Sequence, residues 1–403
     1  MRGLTNDEAA AVERVAGEPM LAQVEAWAAV NSGSHNLDGL ERVAGLLADA
    51  FAALPGEAVL REAAPVDSVT ASGERLAVRH GRNFHLAVRQ QAPVQLLFTG
   101  HMDTVFAADH PFQDVFWREE GVLGGPGVAD MKGGLAVLLA ALKAVEESSL
   151  SATFGYEVVI NSDEEVGSPG SAALIAEAAR GKRAALTYEP SALPDGTFAG
   201  ARPGSGNFSL IVKGRSAHAG RNPEDGRNAL LAAAELALRL AESKAEGLSV
   251  NPARIDGGSP NNVVPDYAIL RINMRPATLA DQARAQSALD EAVAQVAASR
   301  DVRINMHGGW GRPPKPLDPS AEKLFALVAR CGADLGQAIG WRDSGGVCDG
   351  NNIAACGVPV VDTMGVRGGA IHSNAEYLIV ESLAERARLS ALTILRLAQG
   401  EGL

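Results

Sequence analysis

Cysteine is scarce in this chain of 403 residues: Cys331, Cys348 and Cys356 are the only three, and no two form a CxxC pair. An odd number without such pairing excludes a disulfide framework and a thiolate zinc site. A reducing compartment, the cytoplasm, is the expectation. Long apolar runs are missing too. The longest, "LAVLLAAL", is far too short to span a membrane, and "MRGLTNDEAAAVERVAGEPM" at the start has no continuous apolar segment of the kind a signal peptide needs. A basic surplus is absent: 36 Lys and Arg stand against 48 Asp and Glu, a net charge of −12. Nucleic acid is therefore an unsuitable partner, whereas a small anionic substrate needs only a few local arginines. Three familiar catalytic signatures are lacking, namely a GxSxG elbow, an HExxH helix and a P-loop. "GGPGVADMKGG" (124–134) is glycine-rich without GxGxxG spacing.

What is present is ordinary globular composition, with 46% hydrophobic and 21% charged residues, in a chain long enough for two domains. Helix and strand patterns alternate through the first 200 or so residues. "LDGLERVAGLLADAFAAL" repeats apolar residues at helical spacing. "VQLLF" (94–98), "YEVVI" (156–160) and "RAALTY" (183–188) are short apolar runs, suited to strands buried on both faces of a parallel sheet. Between the first two lies an apolar helix, "GGLAVLLAALKAVEES" (133–148). This alternation predicts an α/β layer fold.

Residues 203–314 read differently. "NFSLIVKG", a long helical pattern, "GLSVNPARI", the strictly alternating "DYAILRINMR", a second helix and "DVRINMH" give the order βαββαβ, which predicts an inserted ferredoxin-like α+β unit with one helix-covered face. The Pro-rich "GRPPKPLDP" (311–319) reads as its exit. The expectation is one α/β domain built from 1–202 and 315–403, interrupted by a small α+β domain over 203–314.

Ligands of open parallel sheets bind beyond the carboxyl ends of the strands. His101 and Asp103 follow "VQLLF", Glu164 and Glu165 follow "YEVVI", Glu189 follows "RAALTY", and His372 in "GGAIHSN" follows "VPVVDTM" (358–364). Asp130 stands just before the apolar helix. Two histidines and several carboxylates without thiolate suit zinc or a similar divalent ion. Five ligands with a glutamate to spare suggest two ions sharing a carboxylate. Such paired ions activate water for attack on amides and esters, and the chemistry then needs a carboxylate that is not a ligand to take the proton.

The chain resembles the di-zinc metallohydrolases that include aminoacylase, succinyl-diaminopimelate desuccinylase, acetylornithine deacetylase and bacterial carboxypeptidase G. "GHMDTV", "GVADMKGG", "DEEVGSPGS", "EPS" and "IHS" match their metal-site motifs in order and spacing, and the resemblance covers nearly the whole chain. It implies two zinc ions per chain bridged by Asp130, with Co2+ or Mn2+ as other fitting metals. His101 and Glu189 would complete one site, Glu165 and His372 the other. Glu164 would be the general base, and Asp103 would hold the His101 imidazole. "GRSAHAGRNPEDGRNA" resembles the family segment whose histidine, here His218, stabilises the oxyanion in a partner subunit's site, which implies a homodimer. "PNNVVPDYAILRINMR" resembles the carboxypeptidase G stretch in which an asparagine and an arginine, here Asn262 and Arg275, contact a substrate carboxylate. Arg312 matches a further arginine of that branch, suited to a second carboxylate. "DSGGVCDGNNIA" (343–354) departs from the branch's glycine-threonine-aspartate run, placing Cys348 and Asn351–Asn352 where a specificity pocket is expected. The implied activity is cleavage of an amide beside a free carboxylate, with glutamate release first. An N-acyl amino acid deacylase is the alternative. An aminopeptidase ranks third, because the aminopeptidases tend to carry aspartate where this chain has Glu189. A catalytically silent metal-binding protein is the reading outside enzymes.

Overall fold

In the computed structural model, which describes residues 3–402, a six-stranded sheet forms the floor of the larger part. Its strands run in the order Glu57–Arg61, Asn83–Val88, Phe154–Asn161, Val94–His101, Ala184–Thr187 and Val360–Val361. The last four are mutually parallel. The first two are added antiparallel at one edge. This is the expected α/β arrangement. The apolar runs become central strands because they bury both faces: Ala184–Thr187 is buried throughout and Val94–His101 is buried from Leu96 onward. Helix Gly134–Glu146 is apolar all round and sinks between the sheet and the C-terminal helix Glu381–Ala398. Helix Leu37–Phe51 begins at Asn36, whose side chain accepts from the Gly39 N–H at 3.2 Å, and it buries Leu40, Val43, Leu47 and Phe51.

Several elements carry no sequence signal. Of the two antiparallel edge strands, Glu57–Arg61 has no buried face and no alternation to betray it. A second four-stranded sheet, Gly368–Gly369, Tyr377–Ile379, Val122–Gly124 and Phe116–Glu119, is built of strands too short for a period to show. It carries the His372 loop.

Four of the six elements from Ser205 to Arg312 form a separate, fully antiparallel sheet in the order Leu248–Gly257, Tyr267–Pro276, Ser205–Lys213, Arg303–Arg312. Helices Ala229–Glu242 and Leu279–Arg300 cover one face. The alternation of "DYAILRINMR" places Ala268, Leu270, Ile272 and Met274 under the helices. On the other face Ile269 is also buried, with Val69 and Ile211, because the hairpin Val66–Val69/Arg75–Val78 packs there. Arg271 fastens that hairpin by donating to the Val69 and Thr70 carbonyls. The rest of this face looks toward the ends of the parallel strands. The last strand runs through Arg312, into the segment expected to be linker. At the two crossings Arg202 and Lys315 pair backbone to backbone. Both side chains reach the buried Asp362 carboxylate, at 2.7 and 3.1 Å. Asn351 ties the same two crossings by donating to the Pro203 and Pro313 carbonyls.

Candidate active site

The carboxyl ends of three central strands deliver polar side chains to the same place. His101 is the last residue of its strand, Glu164 and Glu165 lie in a short turn after Asn161, and Glu189 follows Thr187 by two residues. Asp130 comes from the irregular turn Val128–Gly133 ahead of the apolar helix. That turn opens at Gly127 with φ +74°, a conformation that favours glycine. His372 itself has φ +61°.

The two imidazoles share Asp130. His101 Nε2 lies 3.1 Å from Asp130 Oδ1 and 3.7 Å from Glu189. His372 Nε2 lies 3.3 Å from Asp130 Oδ2 and 3.1 Å from Glu165. One carboxylate thus turns one oxygen to each histidine, the disposition a bridging ligand needs. Asp103 organises the neighbourhood. Its backbone carbonyl is 3.0 Å from His101 Nδ1 and its carboxylate 3.4 Å away. The same carboxylate accepts the Glu164 and Glu165 N–H groups, each at 3.1 Å, and the Ser34 hydroxyl at 2.7 Å. It therefore fixes the imidazole and the glutamate pair together.

Crowding these groups away from water shapes their protonation. Burial pushes Glu165 up to about 7, with Asp130 adding to the effect and His372 opposing it. Burial likewise raises Glu189, against the pull of His101, and raises Glu164 well above its usual range, against Arg312. Burial alone would lower His101, but Glu189, Asp103 and Asp130 hold it well above the ordinary histidine value. His372 is raised to about 11 by its hydrogen bonds to Asp130 and Glu165. Buried carboxylates crowded against one another, with two imidazoles drawn to them, are an electrostatic setting that a bound cation would relieve. The donor set is all nitrogen and oxygen, and it fits zinc, cobalt or manganese. Ligand atoms of His101, Asp130 and Glu165 lie within 4.8 Å of one another, and so do those of His101, Glu164 and Glu189. Glu164 is thus near enough to be a ligand itself. What sets it apart is Arg312, whose Nη2 sits 2.7 Å from its carboxylate and already matches its charge.

That contact departs from the expected role of Arg312. The residue is 4% exposed. Its guanidinium also donates to the Glu164 carbonyl and the Ser168 hydroxyl, both at 2.9 Å, and to the Val347 carbonyl at 3.2 Å, and it lies 3.4 Å from Asp349. No free fork remains for a second carboxylate. Asn262 differs as well. It is exposed beside His218, where the Asn262 carbonyl accepts from the Ala219 N–H at 2.9 Å. Arg275 lies eight residues beyond Tyr267 on an extended strand, roughly 26 Å at about 3.3 Å per residue. The thirteen-residue spacing therefore separates the two instead of bringing them onto one carboxylate in a single chain. His218 is exposed and lines neither of the two cavities at this site. Of the unusual segment, Cys348 is 3% exposed at a cavity wall, while Asn351 serves the crossings and Asn352 bonds the Gly311 carbonyl.

Sequence reasoning missed Glu376. It is 1% exposed and accepts the N–H groups of Gly127, Ala129 and Asp130 at 3.1, 3.0 and 3.0 Å. It braces the turn that presents Asp130, and burial pushes it up to about 7. Its position four residues after His372 was the available signal.

Two cavities meet at Glu164, Glu165 and His372. The smaller, about 240 Å³, is walled by Ala192, Val347, Cys348 and Ile371 among others. The larger, about 840 Å³, lies under the uncovered face of the antiparallel sheet over 205–312 and is lined by Asn207, Asn251, Asn273, Arg275 and Arg312.

Nitrogen and oxygen donors around a shared carboxylate, buried except for the exposed His372, with an arginine-held glutamate beside them and open space on two sides, define a metal-dependent hydrolase. Residues 97–396 match the model of peptidase family M20/M25/M40, and the chain belongs to that family. Carboxypeptidase G2 of Pseudomonas sp. (strain RS-16) is 31% identical over 326 residues, covering 80% of this chain and 78% of that protein. A succinyl-diaminopimelate desuccinylase of Ectopseudomonas mendocina is 29% identical, with 77% and 84% covered. Among solved structures, aminopeptidase PepT from Bacillus cereus superposes with a TM-score of 0.70 at 23% identity, over 96% of this chain and 99% of that one. An M20 family metallo-carboxypeptidase from Sulfolobus solfataricus gives 0.69 at 14% identity, over 94% and 99%. These two likenesses concern the fold. No helix among the described residues is long and apolar enough to cross a membrane.

Proposed function

We propose that this family member hydrolyses an amide bond next to a free carboxylate, as a carboxypeptidase or as an N-acyl amino acid deacylase. The observation that carries the reading is the shared cavity: Arg275, a cation suited to a carboxylate, opens onto the same space as Glu164, Glu165 and His372. The similarity to carboxypeptidase G2 and to a succinyl-diaminopimelate desuccinylase supports it.

The proposed ligand sets are His101, Asp130 and Glu189 for one ion, and Asp130, Glu165 and His372 for the other, two zinc ions per chain. Bound there, the metal supplies Lewis-acid polarisation of the reacting oxygen. The chain's own residues do the rest. Arg275 holds the carboxylate end of the substrate and so aligns the scissile carbonyl with Glu164. Glu164 takes a proton from the attacking water as the new C–O bond forms. It returns that proton to the leaving nitrogen as the C–N bond breaks. Asp103 keeps His101 and the Glu164–Glu165 turn in register.

The unit over 203–314 acts as lid and dimerisation domain in this reading. His218 and Asn262 sit together at the end of the lid far from Arg275, so both serve a partner's site or none. Leu230, Leu231 and Leu238 of helix Ala229–Glu242, at 37%, 52% and 69% exposure, favour a second copy there. The assay is a panel of N-acyl amino acids beside their carboxamide-blocked counterparts. Cleavage of the free acids alone is expected. Equal cleavage of blocked substrates would overturn the carboxylate requirement.

A further inference from the structure

The uncovered face of the lid sheet carries one row of amides. Asn251 stands opposite Asn273, Asn273 opposite Asn207, and Asn207 opposite Gly309. All four line the larger cavity, and the neighbouring row brings in Arg275 and Ser205. Hydrogen bonds fix the middle of the row. Asn273 Nδ2 donates to Ser205 Oγ at 3.1 Å, to the Gly206 carbonyl at 3.2 Å and to Asn207 Oδ1 at 2.9 Å. Asn273 Oδ1 accepts from Arg275 Nε at 3.0 Å, and Arg275 Nη1 donates to the Gly345 carbonyl at 3.2 Å. Asn273 is therefore committed as a brace for Arg275. The Asn207 amide nitrogen and the whole Asn251 amide keep their capacity for a ligand. A Cβ at Gly309 would meet nothing within 4 Å, so the floor in front of the row is open.

The charges matter as much. The other arginine on this cavity, Arg312, is paired with Glu164 and Asp349. Among the residues lining the cavity, Arg275 is the cation left for a substrate carboxylate, and the lid residues beside it, Ser205, Asn207, Asn251 and Asn273, are neutral and able both to donate and to accept. Asn207 and Asn251 are exposed to the open cavity, so an apolar side chain would displace the water on these amides without replacing its hydrogen bonds, and a second carboxylate would find no free cation. We propose that Asn207 and Asn251 are specificity-determining residues that select an amino acid with a neutral hydrogen-bonding side chain, a carboxamide or hydroxyl, over methionine-like and dicarboxylic ones. This rests on the reading of Arg275 as the holder of the substrate carboxylate, and it replaces glutamate as the preferred residue.

The test is calorimetric binding of free L-glutamine, L-methionine and L-glutamate to the metal-loaded protein, run beside hydrolysis of the three N-acetyl derivatives. Glutamine is expected to bind about ten-fold more tightly than either of the others, the worth of one or two net hydrogen bonds. In an Asn207→Ala/Asn251→Ala double variant with an unchanged melting temperature, that ratio should fall to within about two-fold of one. Methionine or glutamate binding as tightly as glutamine, a ratio that survives the double substitution, or no binding by any of the three would overturn the proposal. Hydrolysis reports separately. Turnover indifferent to the side chain would sink this inference and keep the proposed function. Glutamine-selective binding without turnover of any derivative would do the reverse.

Discussion

Replacing Arg312 with lysine separates two roles that the sequence leaves joined. In the structure its Nη2 is 2.7 Å from the Glu164 carboxylate. At that distance two unit charges attract by about 6 kcal/mol in an effective dielectric of about 20, before the cost of taking both out of water is subtracted. A lysine keeps the charge but cannot make the fan of bonds to the Glu164 carbonyl, Ser168 and Val347 at once. The Glu164 carboxylate should then sample positions away from the attacking water. We expect kcat to fall about 10- to 100-fold, with KM within about three-fold of wild type, because an interaction that positions the base acts in the transition state and not in substrate binding. Arg312→Ala is the harsher change. It leaves Glu164 and Asp349 buried without their cation, at a cost of about 3–5 kcal/mol in stability, so its melting temperature has to be read beside its kinetics. The assay is steady-state hydrolysis of N-acyl glutamate and N-acyl methionine by Arg312→Lys. A KM raised more than about ten-fold for the glutamate substrate alone, with kcat unchanged, would return Arg312 to the role of a carboxylate reader and refute this reasoning.

The same geometry sets three further outcomes. Glu376→Gln should weaken metal binding about 10- to 100-fold while leaving the fold intact, since it loosens the N–H groups that present Asp130; competition with a chelator measures it, and unchanged affinity would make the brace irrelevant. Arg275→Ala should lower kcat/KM by about two to three orders of magnitude on free-acid substrates, with partial recovery in Arg275→Lys; equal kinetics for all three proteins would remove Arg275 from the site. Mixed dimers of His218→Ala and Glu164→Ala chains should regain activity that neither parent has, and no recovery after proven subunit exchange would contradict action across the dimer.

The strand-end residues are legible because parallel strands buried on both faces write themselves as short apolar runs, and the residues just past such a run lie at the ligand-binding edge. His101, Glu164, Glu165 and Glu189 can be located that way from the sequence alone, Asp130 by its place just before the apolar helix, and His372 in the loop that follows "VPVVDTM". Glu376 is harder to find, because its work is to accept backbone N–H groups, and only its position four residues after His372 hints at it. Arg312 misleads for a related reason. Its neighbours in sequence, "PPKP", say that the strand is ending, but only the packing of the crossings shows the guanidinium turning inward to Glu164. The thirteen residues from Asn262 to Arg275 mislead in the opposite sense, because spacing along an extended strand is distance, not convergence. The asparagine row is hidden by its distribution over three strands far apart in sequence, which only the register aligns.

The central claim is that Glu164 is the base and Glu165, its neighbour, a metal ligand. Elemental analysis and kcat measured together on Glu164→Gln and Glu165→Gln test it most directly. The account predicts about two divalent ions per chain retained in Glu164→Gln, with kcat down by about two to four orders of magnitude, and a clear loss of bound metal in Glu165→Gln that added zinc partly restores. Metal lost from Glu164→Gln and held in full by Glu165→Gln would contradict it.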